Sequence, residues 1–431
     1  MSESSSGAAS AVPSTVAANG TGRIPRWKMI LAVFGPGLVV MLADTDAGSL
    51  ITAAQSGAQW GYTLIMANLI LIPIVFVVQE LTIRLGILTG KGHGELIRDR
   101  FGIRWAWLSV GTLVLSCAGA IVSEMSGVAG VGLMWGIPEW ASTSAVAVFL
   151  TLVVVTGSYK RVERIAISIG LFELVFVVTM FMSDPDPEQV AAGLTSFPIS
   201  NPAYLFLVAA NIGAVVMPWM IFYQQSAVVD KGLTTADITA SRWDTAVGSV
   251  VTQLIMISML VTCAATLWAN NGTTDLNTVE QISEAITPYL GDFAGRVLFS
   301  VGITGAALVA AIVACLTAAW GLGELTGYKR TLETSAREAP WFYLVFVAVL
   351  LTGMIIVISG VNIIDLNIGI QVMNALLLPI VLGFLVALAF KALPDAYKLK
   401  GWYGWLIVVV ATLTAGLGVY SGIAGIFGGG S

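Results

Sequence analysis

The sequence predicts an all-α polytopic membrane protein built as a five-plus-five inverted repeat, with discontinuous helices one and six and an added eleventh transmembrane helix. Three observations carry this prediction. Of the 431 residues, 57% are hydrophobic and only 10% are charged, against roughly a quarter charged in an average soluble domain. Apolar runs that reach the ~20 residues needed to cross a bilayer core recur down almost the whole chain. Two of these runs, five spans apart, are interrupted at mid-depth by polar or helix-breaking residues.

The runs lie near 29–56, 62–88, 105–133, 141–158, 163–182, 202–228, 243–269, 291–325, 341–359, 366–391 and 402–425, and the eighth is long enough to leave the membrane as helix. The 46 glycines suit close helix packing in lipid. Basic residues alternate from one side to the other. Arg23, Arg26 and Lys28 precede span one; Lys91, Arg98, Arg100 and Arg104 follow span two; Lys160, Arg161 and Arg164 follow span four. Lys231 and Arg242 follow span six, Lys329, Arg330 and Arg337 follow span eight, and Lys391, Lys398 and Lys400 follow span ten. The other loops hold a single basic residue, Arg296, and are otherwise neutral or acidic, as in Asp184-Pro185-Asp186-Pro187-Glu188. The positive-inside rule then places the N-terminus in the cytoplasm and the C-terminus outside, in what is expected to be a bacterial plasma membrane.

Span one carries Gly35-Pro36-Gly37 near its start and Ala43-Asp44-Thr45-Asp46-Ala47-Gly48-Ser49 at mid-depth; span six carries Met217-Pro218. Each break is followed by a similar stretch, Gln55-Ser56-Gly57-Ala58 and Gln225-Ser226-Ala227. Matching breaks five spans apart imply a repeat, and because five is odd the second copy is inverted in the membrane. The expected organisation is a disordered cytoplasmic tail over 1–22, a first five-helix repeat over 23–182, a second over 183–391, and the eleventh helix with a short external tail over 392–431. The N-terminal tail lacks an apolar core and does not read as a signal peptide. Cys117, Cys263 and Cys315 fall in separate apolar runs and are expected to pack as small hydrophobes.

A carboxylate at mid-bilayer costs roughly 2.5–3.5 kcal/mol on insertion scales, so it needs a reason. Asp46 or Ser49 could simply cap the second half of span one. The alternative is a cation site, because an unwound turn frees carbonyl oxygens, and carboxylate with carbonyl oxygen is what a hard divalent cation takes. Asp44 is a second acid at the same break.

These residues resemble a known family. GPGLVVMLADTDAGSLITAAQSGAQWG and GAVVMPWMIFYQQSAVV are similar to the first and sixth helices of the NRAMP metal-ion transporters, which share a LeuT-like inverted repeat. Likeness continues through QELTIRLGILTGKGHGELI and the Arg242 to Gly248 segment. The resemblance implies a metal site in which Asp46 bridges, Ala43 and Ala214 supply carbonyls, Met217 supplies a thioether, and Ser49 stands at the family's Asn position. It also implies acids on span three, where only Glu124 remains and Gly127 holds the second position. The family's span-six histidines are absent; Trp219 to Gln225 occupies that stretch. This pattern looks like the NRAMP-related magnesium transporter branch.

The only histidine, His93, is expected to be a solvated loop residue. Without a His at the break, proton coupling is expected to be absent. Asp44 and the short Ser49 suit a partly hydrated Mg²⁺, whereas the Met217 thioether favours a transition metal. Weaker pathway or gating candidates are Trp219, Tyr223, Gln224, Glu124 and Asn374, with Gln371, Asn211, Gln253 and Glu173 as further polar groups inside spans. Glu80 and Arg84 are expected to pair at i,i+4.

The expected function is uptake of Mg²⁺, with Mn²⁺ second, by a monomer in lipid that needs no cofactor and no nucleic acid. Rival readings are a proton-coupled Mn²⁺/Fe²⁺ carrier, an amino-acid transporter on the same fold, and a non-transporting sensor or scaffold. The constellations of an enzyme are missing.

Overall fold

The computed structural model describes residues 36–156, 168, 170–328 and 336–428. The expected tail over 1–22, Gly35, and the basic residues Arg23, Arg26, Lys28, Lys160, Arg161, Arg164, Lys329 and Arg330 lie outside the described residues.

Among the described residues eight helices are long and apolar enough to cross a membrane, and a pair bent by 48° at its break makes a ninth span. Two shorter apolar helices, Glu139–Val155 and Leu171–Met182, stand at spans four and five. The bent pair is span one, split into half-helices 1a (Pro36–Asp44) and 1b (Ala47–Trp60). Span six is split into 6a (Pro202–Val215) and 6b (Pro218–Asp230). The architecture is the expected LeuT-like inverted repeat with a further helix, Gly401–Gly428, at its end.

Local chemistry explains each break. Pro218 has no N–H and its ring clashes with the turn before it, so the helix cannot run through. Met217 is accordingly extended, with φ −88° and ψ 139°. In span one, Asp46 is extended at φ −68° and ψ 171°, and its carboxylate caps the next helix by accepting from the Ser49 N–H. Asp is a strong N-cap because it satisfies an orphan donor.

Three connecting helices have no counterpart in the apolar pattern: His93–Phe101, Pro187–Gly193 and Val279–Leu290. They are too short and polar to register as spans. Val279–Leu290 nonetheless carries a capping box between Thr278 and Gln281, a signal that sequence alone displays. Span eight, Asp292–Thr326, has 35 residues, or about 52 Å at the helical rise, and does project beyond a bilayer.

Spans two, seven and eleven meet on one carboxylate. Glu80, 1% exposed, takes Arg84 Nη2 at 2.5 Å and Arg242 Nε at 3.3 Å. Tyr403 Oη, at the start of span eleven, donates to its other oxygen at 3.4 Å. The expected i,i+4 pair is present and is the smaller part of a tie between three spans. The lipid-facing surface is apolar, and exposed Trp105, Trp107, Trp140, Trp243, Trp341, Trp402 and Trp405 cluster at helix starts, as an interfacial aromatic belt does. All three cysteines are buried and free, as expected.

Half-helix 6a and span ten approach backbone to backbone. A Cβ on Gly213 of 6a would lie 1.8 Å from the Gln371 carbonyl oxygen of span ten. Since backbone cannot yield as a side-chain tip can, Gly213→Ala is expected to destabilise the fold by at least about 1–3 kcal/mol, lowering the melting temperature in detergent; an unchanged melting temperature would contradict this crossing.

Candidate metal site

A helix that stops leaves its last four carbonyls without partners, and the end of 1a is inside the protein. Two of the four are taken. Thr252 Oγ1 of span seven donates to Met41 O at 2.6 Å, and Thr45 Oγ1 donates to Leu42 O at 2.9 Å. The carbonyls of Ala43 and Asp44 meet no hydrogen-bond donor among the described residues. Ala43, 0% exposed, therefore presents a free, buried carbonyl oxygen at a position that the resemblance implies for a metal ligand.

The start of 1b has the opposite problem, orphan N–H groups with a positive helix end. Two carboxylates meet it. Asp46 Oδ1 accepts from Ser49 N at 2.6 Å, and Glu124 Oε2 of span three accepts from Ala47 N at 3.1 Å. The two carboxyls also meet each other side chain to side chain, and Asp46 Oδ2 and Glu124 Oε1 have no N–H or hydroxyl donor among the described residues. Asp46 is thus both the cap and an available ligand. The small residue at 127 also has a reason: a Cβ on Gly127 would come 2.5 Å from the Ala47 Cβ, so span three presses on the break.

The second break closes the site. Ser49 Oγ donates to the Ala214 carbonyl at 3.0 Å, which links 1b directly to 6a. The two residues expected as neighbouring ligands are therefore brought together, satisfying one another. Gly48 lets polar side chains in: a Cβ there would lie 2.2 Å from Ser123 Oγ and 2.4 Å from Gln371 Nε2. Met217 is fully buried at the head of 6b. Asp44 ends 1a with both carboxylate oxygens buried and unpartnered among the described residues. No three His, Cys, Asp or Glu side chains among the described residues converge to hold a metal by themselves, so a cation here would draw on mixed carboxylate, carbonyl and hydroxyl oxygen.

The weaker candidates divide. Asn374 accepts from Ser116 Oγ at 2.8 Å and donates to Gln371 Oε1 at 3.0 Å, an interhelical tie between spans three and ten. Asn211 likewise joins 6a to Ser56 of 1b and Asn68 of span two. Gln224 Nε2 donates to Thr245 Oγ1 of span seven at 2.8 Å. Trp219 and Tyr223 are buried, and Tyr223 stacks at a tilt on Trp320 with centroids 5.6 Å apart. Glu173, on the 3₁₀ turn Leu171–Leu174 of span five, is hydrogen-bonded to the Thr45 hydroxyl.

His93 is not the expected solvated loop residue. It is 0% exposed, its Nδ1 lies 2.8 Å from Gln225 Oε1 of 6b, and its ring meets Phe222 edge to face at 4.7 Å. The loop reading fails because Lys91-Gly92-His93 turns into a helix whose start is pinned from below: Glu324 of span eight accepts from Gly94 N at 2.8 Å and from Ser226 Oγ at 2.6 Å. Burial pushes the His93 imidazole down to about 4.

Each half-helix of span one is tied to its neighbours at the end away from the break. On the 1a side, Asp244 Oδ2 of span seven caps the helix, accepting from Gly37 N at 2.9 Å and Leu38 N at 3.2 Å. On the 1b side, Leu276 N donates to Gln55 Oε1 at 3.0 Å, Thr274 N donates to Ala58 O at 2.9 Å, and Gln59 pairs with Asp275.

Two outcomes follow from this geometry. Asn caps a helix as well as Asp does, so Asp46→Asn keeps the fold and its melting temperature but lowers divalent-cation affinity at least about tenfold in a calorimetric titration; retained affinity would move the site elsewhere. His93, free in an unfolded chain with a value of about 6.5, binds more protons unfolded than folded between about 4 and that value. Its share of stability is therefore complete above that window and is lost as the pH falls through it. The melting-temperature gap between wild type and His93→Gln should narrow as pH falls across the window, and a gap that widens would contradict the buried neutral ring.

Comparison with known proteins identifies the family. Residues 37–424 match the family model "Nramp: Natural resistance-associated macrophage protein-like". The chain is 29% identical over 306 residues to the divalent metal cation transporter MntH of Yersinia pestis (strain Pestoides F), covering 69% of this chain and 73% of that protein. A crystal structure of the Eremococcus coleocola manganese transporter superposes with a TM-score of 0.76 at 20% identity, covering 96% of this chain and 91% of that one. MhsT in complex with L-phenylalanine gives a TM-score of 0.61 at 12% identity, covering 90% and 98%. The chain belongs to the Nramp family.

Proposed function

We propose that this chain is a divalent metal cation transporter that takes up Mg²⁺, with Mn²⁺ as its second ion, by alternating access and without proton coupling. It sits as a monomer in the plasma membrane with its N-terminus cytoplasmic and its C-terminus external. It belongs near the magnesium-transporting branch of its family, and it is a carrier and not an enzyme.

One observation carries the magnesium reading: the free groups at the break of span one are hard oxygens, with no imidazole among them. Asp46 Oδ2 and Asp44 are unpartnered, and the Ala43 carbonyl has no donor among the described residues. Mg²⁺ takes one or two carboxylates and keeps several waters, and the small side chains of Gly48 and Ser49 suit a partly hydrated ion. The sole histidine is held at Gln225 instead. Met217 at the head of 6b favours Mn²⁺ as the second ion, because a thioether suits softer metals; relatives named for divalent metal cation and manganese transport support the same ion.

Transport would alternate between the two closures. Release of 1a from Asp244 opens the cytoplasmic route, and release of 1b from the Leu276 loop opens the outer one. In each case the ion replaces the hydrogen bonds at the break, so that Ser49 and Ala214 turn from each other to the cation.

Flux into proteoliposomes carrying an internal pH dye checks this. Mg²⁺ and Mn²⁺ should enter without internal acidification, Mg²⁺ at the higher rate, and Ca²⁺ should be excluded. Mn²⁺ entry with acidification and no Mg²⁺ entry would overturn both the ion and the coupling.

A further inference from the structure

We propose that Glu173 of span five is a resident neutral carboxyl whose proton, donated to Thr45, positions the break of span one and stays in place through the transport cycle. The proposal rests on the transport reading above and concerns a residue that touches the break without touching the ion.

The argument is a count of protons. Thr45 lies between Asp44 and Asp46, and its Oγ1 is within hydrogen-bonding distance of two acceptors, Leu42 O and Glu173 Oε2. A hydroxyl has one proton to give. If Glu173 were ionised, one of those two buried acceptors would go without. Leu42 O is one of the orphan carbonyls of 1a, and losing its donor inside the protein is costly. If Glu173 carries a proton, the chain closes: Glu173 Oε2–H donates to Thr45 Oγ1, and Thr45 donates to Leu42 O. Both acceptors then have a donor, with Glu173 Oε1 alone left unpartnered among the described residues as it would be in either state, and the turn that presents the Ala43 carbonyl and Asp46 is held from span five.

The charge balance points the same way. Asp44, Asp46, Glu124 and Glu173 are all buried, at 1% exposure or less. Among the described residues the charged groups that bear on Glu173 are Asp46 and Glu124, both acidic. Spans seven and eight, packed on the same segment, carry no charged residue over 248–263 and 302–323. A divalent cation offsets two negative charges and leaves the rest of the cluster to be neutralised by protons. Glu173, already hydrogen-bonded to a hydroxyl, is the group that keeps its proton with the ion bound.

The test uses the full-length protein in proteoliposomes. Glu173→Leu, which cannot donate to Thr45, should lower Mg²⁺ flux about tenfold, and Glu173→Gln, whose amide N–H donates as the acid does, should restore most of it with an unchanged KM and pH profile. Thr45→Val should resemble Glu173→Leu, and Thr45→Ser should resemble wild type. Independently of transport, infrared difference spectra between wild type and Glu173→Gln at neutral pH should show a protonated carboxyl C=O stretch that persists when Mg²⁺ is added. A missing band, or one that vanishes with Mg²⁺, overturns the proposal whatever the flux does. So does a Glu173→Gln variant as slow as Glu173→Leu, or one with a shifted pH profile. If wild-type flux is absent but the band is present and metal-independent, the transport reading has failed and the neutral carboxyl stands.

Discussion

A helix broken inside a bilayer has no water to complete its hydrogen bonds, and that single constraint organises the centre of this protein. Each freed backbone group needs a partner from another span. Thr252 reaches across for Met41, Thr45 folds back for Leu42, Asp46 turns up to Ser49, and Glu124 leans in to Ala47. These four contacts recruit spans three and seven around the break of span one. The fifth contact, Ser49 to the Ala214 carbonyl, joins that break to the one in span six. The small residues follow from the same need. Gly48, Gly127 and Gly213 sit where another span's atoms already occupy the space a Cβ would take.

The groups that repair the breaks are also those that a cation would use, which is why a structural cap and a ligand need not be rivals. Asp46 satisfies Ser49 with one oxygen and keeps the other free. The hydroxyl–carbonyl pair of Ser49 and Ala214 is complete as it stands, yet it contains two oxygens that an ion can share. Binding would then be an exchange of partners more than a filling of empty space. An exchange of that kind couples occupancy to the angle between 1b and 6a, since the hydrogen bond that sets their spacing is the one the ion replaces.

Much of this was legible in the sequence because the membrane imposes it. Length and hydropathy locate spans, and Pro218 and the Asp44–Asp46 pair cannot sit in a continuous buried helix without consequence. The resemblance of the two broken segments to NRAMP helices is what makes Ala43, Asp46, Ser49, Ala214 and Met217 candidate ligands before any coordinates. What was not legible depends on contacts between distant residues. Nothing near His93 in sequence announces Gln225 or Glu324, so its burial against 6b could not be read from a Lys-Gly-His-Gly run. Glu80 and Arg84 display their own pairing, but the approach of Arg242 and Tyr403 requires the fold. Glu173 looked like any mid-span acid until Thr45 was found against it. The three connecting helices were missed for a different reason: they are set by caps, and a search for apolar runs does not weigh Thr278, Asp186 or Gly92.

For the uncoupled carrier proposed here, the energetics are sufficient without a proton. An inside-negative membrane supplies about 2.3 kcal/mol per elementary charge for each 100 mV, so a dication gains about 4.6 kcal/mol, enough to sustain an inward gradient of more than about a thousandfold. A second driving ion would add little that Mg²⁺ needs. What such a carrier does need is that the empty site cross the membrane at tolerable cost. Four ionised carboxylates around an empty break would repel one another and the low-dielectric surroundings alike. Protons that stay on part of the cluster remove that penalty without being transported, because they neither enter from one side nor leave to the other. A buried acid can thus be indispensable to moving a cation while contributing no charge to the movement.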